Sequence, residues 1–407
     1  MKIYDELVWR GLIQDKTSPE LEKKLNEGGM TFYIGTDPTG DSLHLGHYSS
    51  FLITRRLKNA GHTPIMLVGG ATALIGDPRG TSERKLSDKN EVMRNFESLK
   101  AQLQRLFPYE VVNNYDWTKD LKLIDFLRDY GKCINVNYML DKDLVRRQME
   151  SGISFTEFSY MLLQGMDFLH LHKTRGVDLQ VAGSDQWGNI TTGVEMTRRL
   201  TGDEVYAFTM PLITDSRGNK FGKSLGNAIW LDKNKTSPYE LYQYLMNAED
   251  EMVISYLKRL TFLTKEEIEE IERQQNAEPH LRIAQKALAR EVVTDLHGKE
   301  EYENAVHISE NLFYGNIKEI PVKDLLICLK GVPSFDFKNG TSLVDLLVDS
   351  KACSSKREAR EMISNKAISL NGEIVDADRP ITEQDVLDEK VLVVRKGKKK
   401  YFIGYMK

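Results

Sequence analysis

The chain has 407 residues, 41% of them apolar and 29% charged, with 11 prolines. That length exceeds what one hydrophobic core serves, so two or three domains are expected, and the composition excludes an intrinsically disordered chain. Lys and Arg number 56 against 60 Asp and Glu, a net charge of −4 that excludes a uniformly basic nucleic-acid coat while leaving room for a local basic patch.

No apolar run reaches the roughly 18 residues of a membrane helix. Met1 to Glu6 carries acids where a leader would be apolar. The three cysteines, Cys133, Cys328 and Cys353, are too far apart for a redox pair or a zinc knuckle. A reducing, cytoplasmic setting without a cysteine metal site is expected.

Along the first half, β-rich runs alternate with helical stretches. Ser18-Pro19-Glu20 reads as a cap with proline at the first helical position, and Gly28-Gly29 ends that helix. Thr31–Gly35 reads as a strand, Leu45–Asn59 as a helix stopped by Gly61, and Pro64–Val68 as a strand buried on both faces. Val177–Val181 is a further strand, followed by a helical run from Trp187 to Leu200. This alternation predicts a Rossmann-like, doubly wound parallel sheet, whose ligands bind beyond the carboxyl ends of the strands.

From Ser237 to about Phe313 the pattern becomes helical, with starts at Ser237-Pro238-Tyr239-Glu240 and Thr264-Lys265-Glu266-Glu267. Gly331, Pro333, Asn339 and Gly340 punctuate a linker. A last small α+β unit has a hairpin over Ile368–Val375 turning at Asn371-Gly372, a strand at Val391–Val394, and a basic run from Arg395 to Lys400. The predicted division is a catalytic domain at 1–225, a helical domain at 226–325, a linker at 326–340 and a C-terminal domain at 341–407.

Chemistry concentrates in two places. His44 and His47 stand three residues apart at a predicted helix start, with Gly46 between them. The helix N-terminus supplies oriented N–H groups, and Gly46 lets a flat ring or a phosphate approach the backbone, a setting for a nucleotide. Taken alone, a metal pair or an ordinary surface helix are the alternatives. Lys220-Phe221-Gly222-Lys223-Ser224 places two ammonium groups in a glycine-bearing loop. By itself this is a solvated turn; beside the histidine motif it becomes a pyrophosphate clamp.

The histidine signature followed by a Lys-x-x-Lys-Ser loop resembles the class I aminoacyl-tRNA synthetases. Tyr33-Ile34-Gly35-Thr36-Asp37-Pro38-Thr39, Gly76-Asp77-Pro78, Asn113-Asn114-Tyr115-Asp116-Trp117, Tyr160–Gln164 and Gly183–Asn189 narrow the resemblance to the bacterial-type tyrosyl-tRNA synthetases, over essentially the whole chain. The resemblance implies ATP-dependent activation of tyrosine and its transfer to tRNA, with Mg2+ accompanying ATP and no structural metal held by the protein. It also implies a homodimer, through an insertion at about 110–140, with no membrane attachment.

Carried onto these positions, Tyr33 and Asp167 would meet the phenolic hydroxyl. Asp77, Tyr160 and Gln164 would hold the α-ammonium, and Gln186 would lie near the carboxylate. Gly35, Asp37, Gly46, His47, Ser50, Gly183 and Asp185 would surround the nucleotide, while Thr39, His44, Lys220 and Lys223 would act on the departing phosphates. Arg84 matches a loop arginine of the family. The family's preceding loop lysine has no counterpart here, and Arg79 is the substitute nearest to hand.

At the C-terminus the resemblance is to an S-four-type RNA-binding unit, with Lys356, Arg357, Arg360, Lys398, Lys399 and Lys400 toward tRNA. Judged from charge alone, Asp376, Asp378, Asp385 and Glu389 leave a solvated surface an equal reading. The rivals are the related tryptophan enzyme, a synthetase-like RNA-binding protein without catalysis, and a smaller nucleotidyltransferase.

Overall fold

Thr31–Thr36, rich in β-formers and followed by a Pro-Gly turn region, makes the first strand, β1, and buries Phe32, Tyr33 and Ile34 in succession. In the computed structural model, which describes residues 1–77, 87–141, 145–146, 152–224, 227–314, 316–397 and 400–407, the chain divides into two units. One comprises Met1–Thr236 and Asn247–Leu288, the other Ser237–Met246 and Ala289–Lys407. Among the described residues no helix is long and apolar enough to cross a membrane.

The first unit is built on β1, β2 (Thr63–Val68), β3 (Glu110–Asn113), β4 (Val177–Gly183) and β5 (Tyr206–Met210). Their order is β3-β2-β1-β4-β5 and every pairing is parallel. The chain steps outward from β1 through β2 to β3, then returns to the other side of β1 for β4 and β5. That reversal makes the carboxyl ends of β1 and β4 a topological switch point, as the alternating pattern predicts. Segment 110–140, expected as an insertion, begins with β3; Val111 and Val112 make 110–113 part of the sheet because they pair with Met66 and Leu67.

Between the strands run α1 (Leu45–Asn59), α2 (Gly70–Ile75), α3 (Lys89–Leu106), α4 (Tyr115–Thr118), α5 (Phe155–Arg175) and α6 (Trp187–Thr201). Helix α5 starts at Ser154, whose hydroxyl accepts from Glu157 N–H, and stops at Gly176 in the left-handed region. The expected cap at Ser18 falls short of its helix, which begins at Leu21 with Glu20 as N-cap. After β5, a two-stranded ribbon, β6 (Lys223–Ser224) with β7 (Asn227–Ala228), closes the lysine-bearing segment.

The following helices are α7 (Pro238–Met246), α8 (Asp250–Leu260), α9 (Lys265–Ala277), α10 (Ile283–His297) and α11 (Lys299–Tyr314). Ser237 and Glu240 cap α7 reciprocally, and Thr264 and Glu267 do the same for α9, both read from the sequence. These helices are distributed over both units: α8 and α9 with the parallel sheet, α7 and α11 with the C-terminal residues.

The second unit carries α12 (Val322–Cys328), α13 (Leu343–Asp349), α14 (Lys356–Ser364) and strands β8 (Ser334–Phe337), β9 (Ile368–Leu370), β10 (Glu373–Val375), β11 (Val391–Lys396) and β12 (Lys400–Met406). Their order is β10-β9-β11-β12-β8, mixed in direction. The Asn371-Gly372 turn has both residues at positive φ, as a two-residue hairpin needs. The stretch expected as a linker, 326–340, instead ends α12 and contains β8, which pairs in parallel with β12. The alternation Ser-Phe-Asp-Phe explains it: Phe335 and Phe337 pack over Gly404, where a Cβ would lie 2.8 Å from the Phe335 ring. Strand β11 reads as an unbroken apolar run because both its faces are covered. Leu392 and Val394 join Leu343, Leu346 and Leu347, while Val391 and Val393 join Ile308 and Leu325.

Candidate active site

At the switch point the first unit has a cavity of about 420 Å3. Its walls come from the segments that leave β1, β4 and β5, from the first turn of α1, from one face of α5, and from Lys220–Gly222.

Among its buried polar groups is Asp167, on α5 and 3% exposed. Trp117 Nε1–H donates to Asp167 Oδ1 at 2.9 Å and Asn114 Nδ2–H donates to Oδ2 at 3.0 Å. Burial pushes the Asp167 carboxyl up to about 7, against the pull of these two donors. Tyr33, on β1, packs edge-on against Phe168 at 5.5 Å. Its hydroxyl is buried without a hydrogen-bond partner, and burial together with the nearby Asp167 raises its pKa well above the ordinary value. A buried hydroxyl lacking a partner costs about 1–3 kcal/mol, so this end of the cavity is built for a ligand that carries a hydrogen-bonding group.

Nearer the strand ends, two carboxylates accept hydrogen bonds from neutral donors, among other partners. Asp37 accepts from Thr72 Oγ1 at 2.7 Å and from the Tyr160 hydroxyl at 3.0 Å. Asp77 accepts from Gln186 Nε2 at 2.8 Å and from Asn189 Nδ2 at 3.3 Å. Burial and the carboxylates of Asp37 and Asp77 keep the Tyr160 phenol protonated, so it serves as a donor. Both carboxylates line the cavity, and carboxylates there are groups that can receive an ammonium. Gly69 leaves the space that Asp37 and Thr72 occupy, and Gly70 does the same for Asn113, whose Oδ1 would lie 2.5 Å from an added Cβ.

A further part of the lining begins at His44, the N-cap of α1. His44 Nδ1 accepts from His47 N–H at 3.3 Å, and His47 Nδ1 accepts from His44 N–H at 3.2 Å, with the rings stacked 3.8 Å apart. Because both Nδ1 atoms accept, a neutral ring carries its hydrogen on Nε2. Burial and the neighbouring ring hold the His47 pKa well below its ordinary value, so His47 supplies an N–H dipole rather than charge.

The lysine segment is fastened to this helix start. Leu45 N–H donates to Ile229 O at 2.8 Å, and Ile229 N–H donates to Gly222 O at 2.7 Å. Gly222, at φ 84°, lies so close that a Cβ would be 3.2 Å from Gly46 N. Lys220 thus lines the cavity with His44 and His47, although more than 170 residues separate them in the chain.

Of the residues singled out in the sequence, Tyr33, Gly35, Asp37, Thr39, Gly46, Ser50, Asp77, Tyr160 and Gln164 line this one cavity. Asp167, Gly183, Asp185, Gln186 and Lys220 line it with them, as do both histidines. Lys223 has its backbone in β6. Arg79, Arg84, Lys398 and Lys399 lie outside the described residues. In the second unit Lys356, Arg357, Arg360 and Lys400 are exposed, and Lys356 pairs with Asp345 at 2.6 Å.

Sequence reasoning gave no role to Asn114, Trp117, Thr72 or Asn189. Asn114 and Trp117 stand in the Asn113–Trp117 motif just after β3, and the carboxyl end of a parallel strand was the available signal.

Residues 25–314 match the family model described as tRNA synthetases class I (W and Y), and residues 324–404 match the tyrosine–tRNA ligase SYY-like C-terminal domain. A tyrosine–tRNA ligase of Streptococcus thermophilus is 50% identical across 99% of both chains, and a second ligase of that species is 61% identical over 73% of this chain and 98% of its own. The crystal structure of a C-terminally truncated mitochondrial tyrosyl-tRNA synthetase from Aspergillus nidulans superposes with a TM-score of 0.69 at 34% identity, covering 77% of this chain and 94% of that one. On the extent and identity of these matches, the chain belongs to the tyrosine–tRNA ligases of the class I aminoacyl-tRNA synthetases.

Proposed function

We propose that the cavity performs the two-step reaction of a tyrosine–tRNA ligase, and that the residues around it divide the work as follows. A carboxylate oxygen of tyrosine attacks the α-phosphorus of ATP, the bond to the bridging oxygen breaks, and pyrophosphate leaves with tyrosyl-adenylate formed. The terminal ribose hydroxyl of tRNA then displaces AMP from the acyl carbon and takes up the tyrosyl group. The first nucleophile is already ionised at neutral pH, so the protein need not remove a proton. Its task is to position the reactants and stabilise the charge that develops.

The phenol of tyrosine donates to Asp167 and meets the Tyr33 hydroxyl, which phenylalanine would leave unpaired. The α-ammonium lies among Asp77, Tyr160 and Gln164, with Asp37 behind Tyr160 as a second negative centre. Gln186 orients the carboxylate. Asp185 takes the ribose, and Gly183 leaves room for adenosine: a Cβ there would lie 2.7 Å from Asp185 Oδ1. Nε2–H of His44, the Thr39 hydroxyl and the ammonium groups of Lys220 and Lys223 receive the charge moving onto pyrophosphate, with Mg2+ arriving on ATP as part of the substrate.

The observation that supports this reading most strongly is that Lys220, the histidine pair and Asp167 all line the same cavity. We further place the work in the cytoplasm and in a homodimer. Leu123 and Ile124, 69% and 68% exposed, and Phe155 at 73% are large apolar groups suited to a second subunit. Segment 226–325 serves the anticodon region, and the C-terminal unit serves tRNA through Arg357, Arg360 and Lys400.

The test is exchange of labelled pyrophosphate into ATP with tyrosine, tryptophan or phenylalanine. Exchange that depends on tyrosine alone is expected. Exchange with tryptophan, or none with tyrosine, overturns the assignment.

A further inference from the structure

Helix α8 touches both halves of the phosphate-handling machinery. Its N-cap Glu249 accepts from Ser216 N–H at 2.9 Å, in the turn that leads to Lys220. Further along the helix Tyr256, 3% exposed, donates its hydroxyl to Thr214 O at 2.9 Å and lays its ring 4.5 Å from that of Phe221. Thr214 and Lys220 face each other in a β-bridge, and Phe221 N–H donates to Ile213 O at 2.9 Å. Tyr256 therefore holds both arms of the hairpin on which Lys220 is carried.

At its other end α8 is fixed to the helix that begins with the histidines. Arg56, in the last turn of α1, donates to Thr261 O at 2.6 Å and to Arg259 O at 3.3 Å. Arg10 adds bonds to Lys258 O at 2.9 Å and Leu263 O at 2.8 Å. Guanidinium groups at the carboxyl end of a helix satisfy its orphan carbonyls and complement its dipole. Helix α8 is thus a strut with one end on the tail of α1 and its middle on the lysine hairpin.

We propose that Tyr256 is a positioning residue for tyrosine activation: it fixes the Lys220 hairpin against the start of α1, so that the Lys220 ammonium meets the charge developing on pyrophosphate. Tyr256 touches no substrate. It acts through Lys220 and rests on the role given to that lysine above. Its contribution belongs to the transition state and leaves the binding of tyrosine alone.

The experiment is single-turnover formation of tyrosyl-adenylate by the full-length protein, with rates referred to titrated active sites. Tyr256→Phe keeps the ring and removes one neutral hydrogen bond, so a rate loss of about fivefold is expected with the tyrosine Kd unchanged. Tyr256→Leu also removes the ring contact and should slow the reaction more. The two residues are then tested as a pair with Lys220→Ala. In that background Tyr256→Phe should have no further effect, because the group it positions is gone. Multiplicative losses in the double variant, or a Tyr256→Phe rate equal to the parent's, would overturn the proposal. So would a loss confined to the number of titrated sites, which a purely structural role would give. If Lys220→Ala itself leaves the rate unchanged, the failure lies with the lysine's assigned role and the positioning claim falls with it.

Discussion

Trp117 donates its indole N–H to Asp167 Oδ1 at 2.9 Å, opposing the burial that raises this carboxyl to about 7. If Asp167 takes the phenol as proposed, this balance should make tyrosine binding sensitive to pH. A phenol donor favours the carboxylate, so affinity is full above the raised pKa and falls as pH drops through it, by at most about tenfold per unit. Equilibrium dialysis without ATP should show the Kd for tyrosine rising between about pH 8 and pH 6. Trp117→Phe should move the midpoint upward, and Asp167→Asn should flatten the curve. For folding the sign is opposite: this carboxyl's contribution is full below its ordinary value of 3.8 and is lost as pH rises to about 7.

Tyr33 presents the complementary case. Its hydroxyl is buried with no hydrogen-bond partner among the described residues. Tyr33→Phe should leave the thermal midpoint unchanged or raise it, since the desolvation cost disappears. The same change should weaken discrimination of tyrosine from phenylalanine by about fivefold, the worth of one neutral hydrogen bond. Pyrophosphate exchange with the two amino acids measures the ratio, and a ratio equal to the parent's would remove Tyr33 from the phenol site.

Much of this site was legible because its parts are local signals. His44-Leu45-Gly46-His47 states a helix start, two imidazoles and a close approach within four residues, while the reciprocal capping of the two rings emerged only in the structure. The parallel order followed from strands that read as apolar runs between helices. What was not legible depends on distance in the chain. Asn114 and Trp117 reach Asp167 across 53 and 50 residues, and nothing local marks them as its donors. Strand β8 reads as a linker because Gly331 and Pro333 stand before it and Asn339 and Gly340 after it. Its pairing with β12, more than sixty residues later, decides its form. The division of the helices between two units is likewise a matter of packing, invisible to periodicity.

Gly69 offers a steric test of the carboxylate behind Tyr160. Its φ of −79° suits any residue, so only space forbids a side chain. An added methyl group would collide with Asp37 Oδ1 and Thr72 Oγ1. Gly69→Ala should displace Asp37 from both partners and cut kcat/KM for tyrosine in exchange by at least about tenfold. Thr72→Val, which removes one donor and leaves the carboxylate in place, should have a smaller effect. Equal losses from the two changes would mean that Asp37 matters only for packing.

The histidine pair separates capping from chemistry. His47 Nδ1 satisfies His44 N–H, a bond that the side-chain oxygen of an asparagine at the same position can also make. His47→Asn should therefore keep most of the adenylate-forming rate, whereas His47→Ala orphans that N–H and should cost more. His44→Ala removes the proposed Nε2–H donor and should slow activation by about a hundredfold with little change in tyrosine Kd. Since His47 stays neutral across the working range, no loss of rate on its account is expected between about pH 6 and pH 8. Single-turnover rates of the three variants decide the order.

The basic residues of α14 are unequal partners for a phosphate backbone. Lys356 already pairs with Asp345 at 2.6 Å, so an RNA phosphate would have to compete for it. Arg357 and Arg360 are exposed on the same helix; Arg360 feels the Asp345 charge, but among the described residues the direct pair with Asp345 is made by Lys356. Each phosphate deprived of its cationic partner should lower the slope of log affinity against log salt by about one. Neutralising Arg357 and Arg360 together should therefore reduce the slope for the cognate tRNA by about two, while Lys356→Ala should change it by less than about one. Pyrophosphate exchange, which needs no tRNA, should be unaffected by all three changes. If the salt slope is the same in every variant, α14 is a solvated surface with no part in tRNA binding.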